Sequence, residues 1–176
     1  ISEITSIAND EEVVAIGETG LDYFRSEGDL SWQRERFRTH IQAAKELKKP
    51  LIIHSREAKE DVIQILKEEK AETVGGVMHC FVDDIETAKK AINMNFLISF
   101  SGIVTFKNAK PLQEVAKQVP LEHMLVETDA PYLAPTPFRG KTNQPAYVKY
   151  VAEFISELKD IPFDTVAEQT SLNYEN

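Results

Sequence analysis

The chain has 176 residues, 42% of them hydrophobic, and a formal net charge of -9. This length and apolar content suffice for one domain over residues 1–176, and no apolar stretch approaches the roughly 20 residues that span a bilayer. The acidic balance argues against a protein that holds nucleic acid on a broad basic surface, but it still allows a nucleic-acid enzyme with a locally positive cleft.

The first half of the chain alternates short apolar runs with amphipathic segments. In the first amphipathic segment Trp32, Phe37 and Ile41 recur at helical spacing among charged residues, which predicts a helix that ends before Pro50. The predicted elements are, in chain order, a strand at 13–18, a helix at 31–49, a strand at 50–54 and a helix at 58–70.

The second half of the chain continues the same alternation. Asp83 with Glu86 three residues later is typical of a capped helix N-terminus. The predicted elements are a strand at 74–79, a helix after Asp83, a strand at 96–102, a helix around 112–119, a strand that contains Leu125 and Val126, and closing helices at 145–159 and 162–174.

These elements predict the fold class. Five strands, each followed by a helix and with no hairpin signal between them, indicate an α/β fold with a parallel sheet and right-handed crossovers. The natural extrapolation is a TIM-type (β/α)8 barrel, of which about five βα units are present in this chain. Because a typical barrel has about 250 residues, either the sheet is open or about three N-terminal units are absent. The chain begins with Ile1 rather than methionine, which favours absence.

Four residues that are able to bind a metal ion follow four of the apolar runs: Glu18, His54, His79 and Asp129. Parallel strands deliver their last residues to one face of a sheet, so these side chains are expected to lie together. Carboxylate and imidazole ligands suit zinc, manganese or iron, and magnesium when oxygen ligands dominate. A single histidine at a strand end is more often a hydrogen-bonded structural residue, and a single glutamate after Gly17 is similarly explained as a helix cap. The same placement of four such residues in four units favours a metal site.

The remaining histidines and the single cysteine lack this placement. We expect His40, in a helix, and His123, just ahead of a strand, to be surface or packing residues. Cys80 is the neighbour of His79 in a predicted strand, so alternation should turn it away from the metal to pack as a small apolar residue. With one cysteine and no charged-then-apolar leader before Ile4, the sequence favours a cytoplasmic location.

Five sequence strings closely resemble the TatD-type metal-dependent deoxyribonuclease family, which belongs to the amidohydrolase-like metal hydrolases. The resemblance covers almost the whole chain. The strings are GETGLDY at 17–23, IIHSRE at 52–57, MHCF at 78–81, VETDAPYL at 126–133 and FRGKTNQPAYV at 138–148.

The resemblance implies a (β/α)8 barrel with one or two divalent ions, of magnesium, manganese or zinc, at its C-terminal mouth. Glu18 matches the bridging residue, and His54 and His79 match ligands of one ion. Asp129 matches the residue that binds the other ion or accepts a proton from the attacking water, so Glu18 and Asp129 are the implied catalytic residues. Family members also carry a His-x-His pair on the first strand, and this sequence contains no such pair, which puts the second ion in doubt.

Further residues are candidates for substrate contact and for orientation of the ligands. Arg56 and Arg139, together with Lys141, are candidates to hold substrate phosphates, although an arginine after a strand often pairs with a neighbouring carboxylate instead. Asp22 and Glu127 are candidates to orient the histidines from behind the ligands. Glu127 is placed equally well to point into the barrel wall.

Phe24, Phe81 and Tyr132 lie near predicted strand ends, where stacking on nucleobases competes with ordinary packing at the barrel rim. The leading hypothesis is a divalent-metal-dependent hydrolase that cleaves phosphodiester bonds with metal-activated water. The resemblance adds an exonuclease preference and nucleic acid as substrate, DNA ahead of RNA. The alternatives are a metal-dependent amide, ester or lactone hydrolase, since the same ions polarise a carbonyl, and a noncatalytic truncated remnant that binds a partner.

Overall fold

The computed structural model describes residues 1–24 and 26–176. No helix in these two ranges combines the length and the apolar character that a membrane span requires. The regular elements are, in chain order, α1 (Ser2–Ala8), β1 (Ile16–Asp22), α2 (Ser31–Leu47), β2 (Leu51–Arg56), α3 (Lys59–Glu68), β3 (Gly76–Met78), α4 (Ile85–Ile92), β4 (Phe96–Phe100), α5 (Lys110–Gln118), β5 (Met124–Val126), α6 (Val148–Lys159) and α7 (Phe163–Glu175).

The predicted α/β class with five βα units is confirmed. The five strands follow one another in the sheet in chain order, from β1 to β5. The residues group into two compact units, of which unit 1 comprises 1–79 and 90–96, and unit 2 comprises 80–89 and 97–176. That 1–176 form one hydrolase domain stays a prediction.

Unit 1 contains three parallel strands. The register of β1 on β2 sets Gly20 beside His54 and Asp22 beside Arg56, and β2 pairs in turn with β3. Helix α2 packs on β1 and its fully buried Phe37 belongs to the core of this unit. The parallel register therefore brings the ends of β1 and β2 together.

The predicted bounds of the first two strands are wrong. The strand predicted at 13–18 lies at Ile16–Asp22, so Glu18 is inside β1 rather than at its end. Likewise β2 runs to Arg56, two residues beyond His54. The physical reason is backbone pairing: Gly20 and Asp22 have little intrinsic strand preference, but pairing with β2 holds them extended.

The apolar stripe predicted for α2 is wrong in its first residue. Trp32 is 53% exposed, whereas the neighbouring Gln33 is only 7% exposed. Gln33 stands four residues before Phe37 and eight before Ile41, so it is the residue in line with the buried stripe. A polar side chain at a core position requires hydrogen-bond partners, and those partners lie at the candidate site.

Unit 2 contains the parallel pair β4 and β5, with α6 packed against α7 and α7 against β5. The side-chain amide of Asn173 donates to the carbonyl groups of Leu121 and Met124, both at 2.8 Å, and so ties α7 to β5. The helices predicted near 112–119, 145–159 and 162–174 are confirmed as α5, α6 and α7.

Two local features differ from the sequence analysis. The cap of α4 is Asp84 rather than Asp83, because Asp84 Oδ1 accepts the backbone N–H of Thr87 at 2.8 Å. Only Asp83 has a glutamate three residues later, but aspartate is a favoured N-cap at either position, and the first helical residue, Ile85, decides between them. The short helix α1 was not predicted: Ile4, Ile7 and Ala8 have helical spacing, but seven residues are too few to establish a period.

Candidate metal centre

Unit 1 brings together three of the four predicted ligands. Glu18 projects from β1, His54 from β2, and His79 follows the end of β3. Glu18 Oε1 lies 2.9 Å from His54 Nδ1 and 3.8 Å from His79 Nε2. A single carboxylate oxygen therefore stands within reach of both imidazoles, as expected from adjacent parallel strands.

Asp22 completes this cluster from the end of β1. Its Oδ2 lies 3.0 Å from His54 Nε2, so each ring nitrogen of His54 faces a carboxylate. Metal-bound histidines commonly use one nitrogen as the ligand and the other to contact a carboxylate. Glu18 is on the ligand side of His54, and Asp22 occupies the position of the orienting partner.

The donor set suits a divalent ion, but its atoms engage one another. Carboxylate oxygen and imidazole nitrogen are the ligands that zinc and manganese take in proteins. Across residues 1–24 and 26–176, however, no three His, Cys, Asp or Glu side chains form a ready coordination shell. His54 Nε2 is hydrogen-bonded to Asp22, and an ion would have to replace the contact at 2.9 Å between Glu18 and His54 Nδ1. The chemistry of the donors fits a metal, in an arrangement that is hydrogen-bonded rather than closed around an ion.

Gln33 holds Asp22 by its backbone. Gln33 Oε1 accepts the N–H of Asp22 at 2.9 Å, and Gln33 Nε2 donates to the carbonyl of Asp22 at 2.9 Å. Nε2 also donates to Ser26 Oγ at 2.9 Å. These bonds resemble the pairing of a further strand, so Gln33 fixes the end of β1 that presents Asp22 to His54. The sequence analysis missed this residue, although its place on the buried stripe of α2 is a readable signal.

Substitution of Gln33 by leucine is expected to lower both stability and metal affinity. The change leaves the N–H and the carbonyl of Asp22 without these partners, which costs about 1–3 kcal/mol for each buried group. Disturbing an orienting partner of a metal ligand typically lowers metal affinity by about 10–100-fold. Chemical denaturation measures the stability, and titration calorimetry with Mn²⁺ measures the affinity.

Gln113 supplies the matched control for this variant. It is 5% exposed and donates to the carbonyl groups of Val104 and Phe106 at 3.0 and 3.1 Å, all within unit 2. Gln113→Leu should lower stability and leave Mn²⁺ affinity unchanged. Equal losses of Mn²⁺ affinity in both variants would contradict a specific role for Gln33.

A cavity of about 530 Å³ lies beside the cluster in unit 1, and its lining includes Glu18, His54, Arg36 and His40. His40 Nδ1 lies 2.6 Å from Thr19 Oγ1, the hydroxyl of the residue after Glu18. Burial is the main factor that lowers the pKa of His40, and the nearby charges of Arg36 and of the N-terminal amine lower it further. His40 is thus a packed histidine next to the candidate centre.

Unit 2 contains the other predicted site carboxylates. Asp129 lies three residues beyond β5 in a left-handed conformation, with φ of 57°, and its carbonyl accepts the N–H of Tyr132 at 2.9 Å. Glu127 Oε2 accepts the backbone N–H of Cys80 at 3.1 Å. This contact is with the main chain of the residue after His79, whereas the sequence analysis considered contact with a histidine ring.

The prediction that Cys80 packs as a buried apolar residue is wrong. Strand β3 ends at Met78, so strand alternation does not extend to Cys80, which has a positive φ of 45°. Its side chain is half-buried, and its Sγ lies 3.2 Å from Ser101 Oγ. Phe81, in contrast, is 3% exposed and packs edge-on against Phe100, so packing explains this aromatic residue.

The two predicted phosphate-binding arginines lie against aromatic rings. Arg56 Cζ is 3.9 Å from the ring centroid of Phe24, and Arg139 Cζ is 3.5 Å from that of Phe106. Lys141 Nζ is 6.0 Å from the ring centroid of Phe138. Within the described ranges, no Asp or Glu carboxylate forms an ion pair with either guanidinium. The alternative explanation, a structural ion pair, is not what the structure shows for these arginines.

Comparison with known proteins identifies the family to which this chain belongs. The sequence profile described as TatD related DNase matches residues 1–176. The uncharacterized metal-dependent hydrolase YabD of Bacillus subtilis (strain 168) is 54% identical over 170 residues, which are 97% of this chain and 67% of that protein. The uncharacterized metal-dependent hydrolase YcfH of Escherichia coli (strain K12) is 50% identical over 174 residues, which are 99% of this chain and 66% of that protein.

A solved structure agrees with these sequence relatives. The crystal structure of YJJV, a TatD homolog from Escherichia coli K12, matches with a TM-score of 0.90 at 28% identity, and covers 98% of this chain and 67% of that one. The chain spans about two thirds of the length of the curated relatives it matches. Because the family profile covers every residue and relatives at 50% identity or more match nearly the whole chain, this chain belongs to the TatD related DNase family.

Proposed function

We propose that this chain carries the centre of a divalent-metal-dependent hydrolase that cleaves phosphodiester bonds of DNA. The observation that carries the proposal is the position of Glu18 Oε1, at 2.9 Å from His54 and 3.8 Å from His79. A carboxylate shared between two imidazoles on neighbouring strands is a suitable donor set for a catalytic divalent ion. The family profile, described as that of TatD related DNases, supports DNA as the substrate.

In this proposal each residue of the cluster has a defined role. Glu18, His54 and His79 would hold the ion, and Asp22 keeps the ring of His54 oriented through its contact at 3.0 Å. A bound divalent ion lowers the pKa of water and offsets negative charge on a phosphoryl oxygen. By resemblance to the family, Asp129 would accept the proton of the attacking water.

The environment of Arg56 favours an anionic substrate over a neutral amide or ester. Its guanidinium has no ion-pair partner among the described residues, and it follows His54 by two residues on β2. A guanidinium without an ion-pair partner can donate charge-assisted hydrogen bonds to a phosphate. The acidic chain, with a net charge of -9, needs such local cations to attract DNA.

The test is release of labelled nucleotides from single-stranded DNA in the presence of Mg²⁺ or Mn²⁺. We expect release that stops on addition of a chelator and that falls by at least about a hundredfold in His79→Ala, since loss of a ligand should exceed the 10–100-fold loss typical of an orienting partner. His123→Ala is the matched control, because this histidine precedes β5 and is outside the Glu18 cluster. It should retain wild-type release.

The outcomes separate the candidate functions. Chelator-sensitive release that survives in His79→Ala would identify a contaminating nuclease. No release from folded Mn²⁺-loaded protein, together with hydrolysis of a carboxylic ester or lactone, would transfer the proposal to carbonyl substrates. No activity on either substrate would favour a noncatalytic chain.

A further inference from the structure

Phe24 is a large aromatic residue that stays 51% exposed next to the candidate centre. Its backbone N–H donates to Asp22 Oδ1 at 3.0 Å, and the other oxygen of Asp22 faces His54. Phe24 is two positions after Asp22 along the chain, a span of at most about 7 Å. An isolated exposed aromatic residue means little by itself, but this one is tied to the carboxylate that orients a candidate metal ligand.

The segment that carries Phe24 is held in place through the preceding residue, Tyr23, which bonds to both β2 and α3. The N–H of Tyr23 donates to the carbonyl of Arg56 at 2.9 Å, which continues the β1–β2 pairing by one residue. The hydroxyl of Tyr23 donates to Asp61 on α3 at 2.5 Å, and burial followed by this hydrogen bond raises the pKa of Tyr23. A ligand that contacts Phe24 therefore meets a backbone already held in place, and little ordering entropy opposes binding.

Arg56 combines with Phe24 to form one surface. The guanidinium carbon lies 3.9 Å from the ring centroid, and the ring remains half exposed beside it. Because Arg56 has no ion pair within residues 1–24 and 26–176, its N–H groups are available to a phosphate while its Cζ lies over the ring. The surface thus offers an aromatic face and a cation that are in direct contact with each other.

We propose that Phe24 and Arg56 form a base-stacking subsite for single-stranded nucleic acid, in which a base stacks on Phe24 and its phosphate binds Arg56. The proposal rests on the proposed function, since it names how the same centre takes its substrate. Base stacking on aromatic side chains is largely independent of sequence, because every base has a π-face. The subsite would hold unpaired DNA of any sequence, and duplex DNA would have to fray before a base reaches Phe24.

Binding measurements with and without bases test the subsite. The probes are a fluorescent oligothymidylate and an abasic chain with the same number of phosphates, both with phosphorothioate linkages to resist hydrolysis, titrated with Mn²⁺-loaded protein by anisotropy. Phe24→Leu should weaken oligothymidylate binding by about five- to 150-fold, which corresponds to about 1–3 kcal/mol per stacked base. The same variant should change abasic binding less than about twofold, and Phe24→Trp should retain wild-type affinity for both probes.

Two further variants separate stacking from phosphate contact and from general exposure. Arg56→Gln should weaken both probes by the same factor, because both carry phosphates. Tyr174→Leu removes a 76% exposed aromatic residue from α7 and should change neither affinity. Thermal melting of each variant confirms that it is folded.

The outcomes distinguish this subsite from the proposed function. Equal weakening of both probes by Phe24→Leu, or no weakening of either, would overturn the subsite even if the protein hydrolyses DNA. A base-dependent loss in Phe24→Leu would support the subsite even if the hydrolysis assay fails, in which case the chemistry proposed above is what is wrong.

Discussion

Replacement of Glu18 by glutamine is expected to remove nearly all metal-dependent hydrolysis and most of the affinity for Mn²⁺. Glu18 Oε1 is the atom that stands 2.9 Å from His54 and 3.8 Å from His79, so it is the group that links the two imidazoles. The amide keeps the shape of the side chain but loses the negative charge that a divalent cation requires. Since changes to orienting residues already cost about 10–100-fold, loss of this carboxylate should cost at least about a hundredfold.

The same variant should be at least as stable as the parent in the absence of metal. The side chain of Glu18 is 50% exposed, so its charge contributes little to folding. Chemical denaturation in chelator checks the stability, and calorimetry with Mn²⁺ together with kcat for DNA release checks the site. Glu12→Gln, the same chemical change at an exposed residue ahead of β1, is the control and should alter none of these quantities.

An unchanged Mn²⁺ affinity in Glu18→Gln would show that the carboxylate does not hold the ion. The cluster would then be a hydrogen-bonded structural group, which is the arrangement that the side chains adopt among themselves. A loss of Mn²⁺ affinity without a loss of nucleotide release from DNA would show that the ion bound at Glu18 is not needed for hydrolysis.

The sequence predicted which strands bring the ligands together, because apolar periodicity identifies parallel strands and their order follows the chain. Glu18, His54 and His79 meet for that reason, and their meeting did not depend on the predicted bounds being right. The sequence did not predict the position of Asp22 in β1, since the predicted strand ended at Glu18. Only the hydrogen bonds to β2 show that β1 continues to Asp22 and places it against His54.

Which of two adjacent side chains in a helix is buried was harder to predict. Trp32 and Gln33 are adjacent, and hydrophobicity alone assigns the tryptophan to the core. The structure buries Gln33 instead, because its amide satisfies both backbone groups of Asp22. Periodicity favoured Gln33, since it aligns with Phe37 and Ile41, so the spacing was a better guide here than the residue type.

Gly20→Ala is expected to disrupt unit 1 severely. Gly20 pairs with His54 in the β1–β2 register and has φ of 140°, a conformation that residues with a side chain rarely adopt. A Cβ at this position would lie 1.9 Å from the carbonyl oxygen of His54. Backbone atoms cannot rotate away as a flexible side chain can, so the two strands must separate where they present the cluster.

We expect the free energy of unfolding to fall by about 3–5 kcal/mol in Gly20→Ala, within the range of the most severe point mutations. Mn²⁺ affinity should fall with it, because a shift of β1 against β2 moves Glu18 away from His54. Gly28→Ala is the matched control: Gly28 also has a positive φ, of 80°, but nothing lies within 4 Å of its added Cβ. Backbone strain alone should cost it about 1–2 kcal/mol.

The difference between the two glycine variants isolates the close approach of the strands from the strain of the dihedral angle. Chemical denaturation of both variants measures the difference in the free energy of unfolding, and calorimetry with Mn²⁺ measures the difference in metal affinity. If Gly20→Ala lost no more stability than Gly28→Ala, the backbone of β1 would have to be free to move away from His54. The contacts at 2.9 and 3.0 Å that join His54 to Glu18 and Asp22 would then not be held by the sheet, and the rigid pairing of β1 with β2 could not be what assembles the centre.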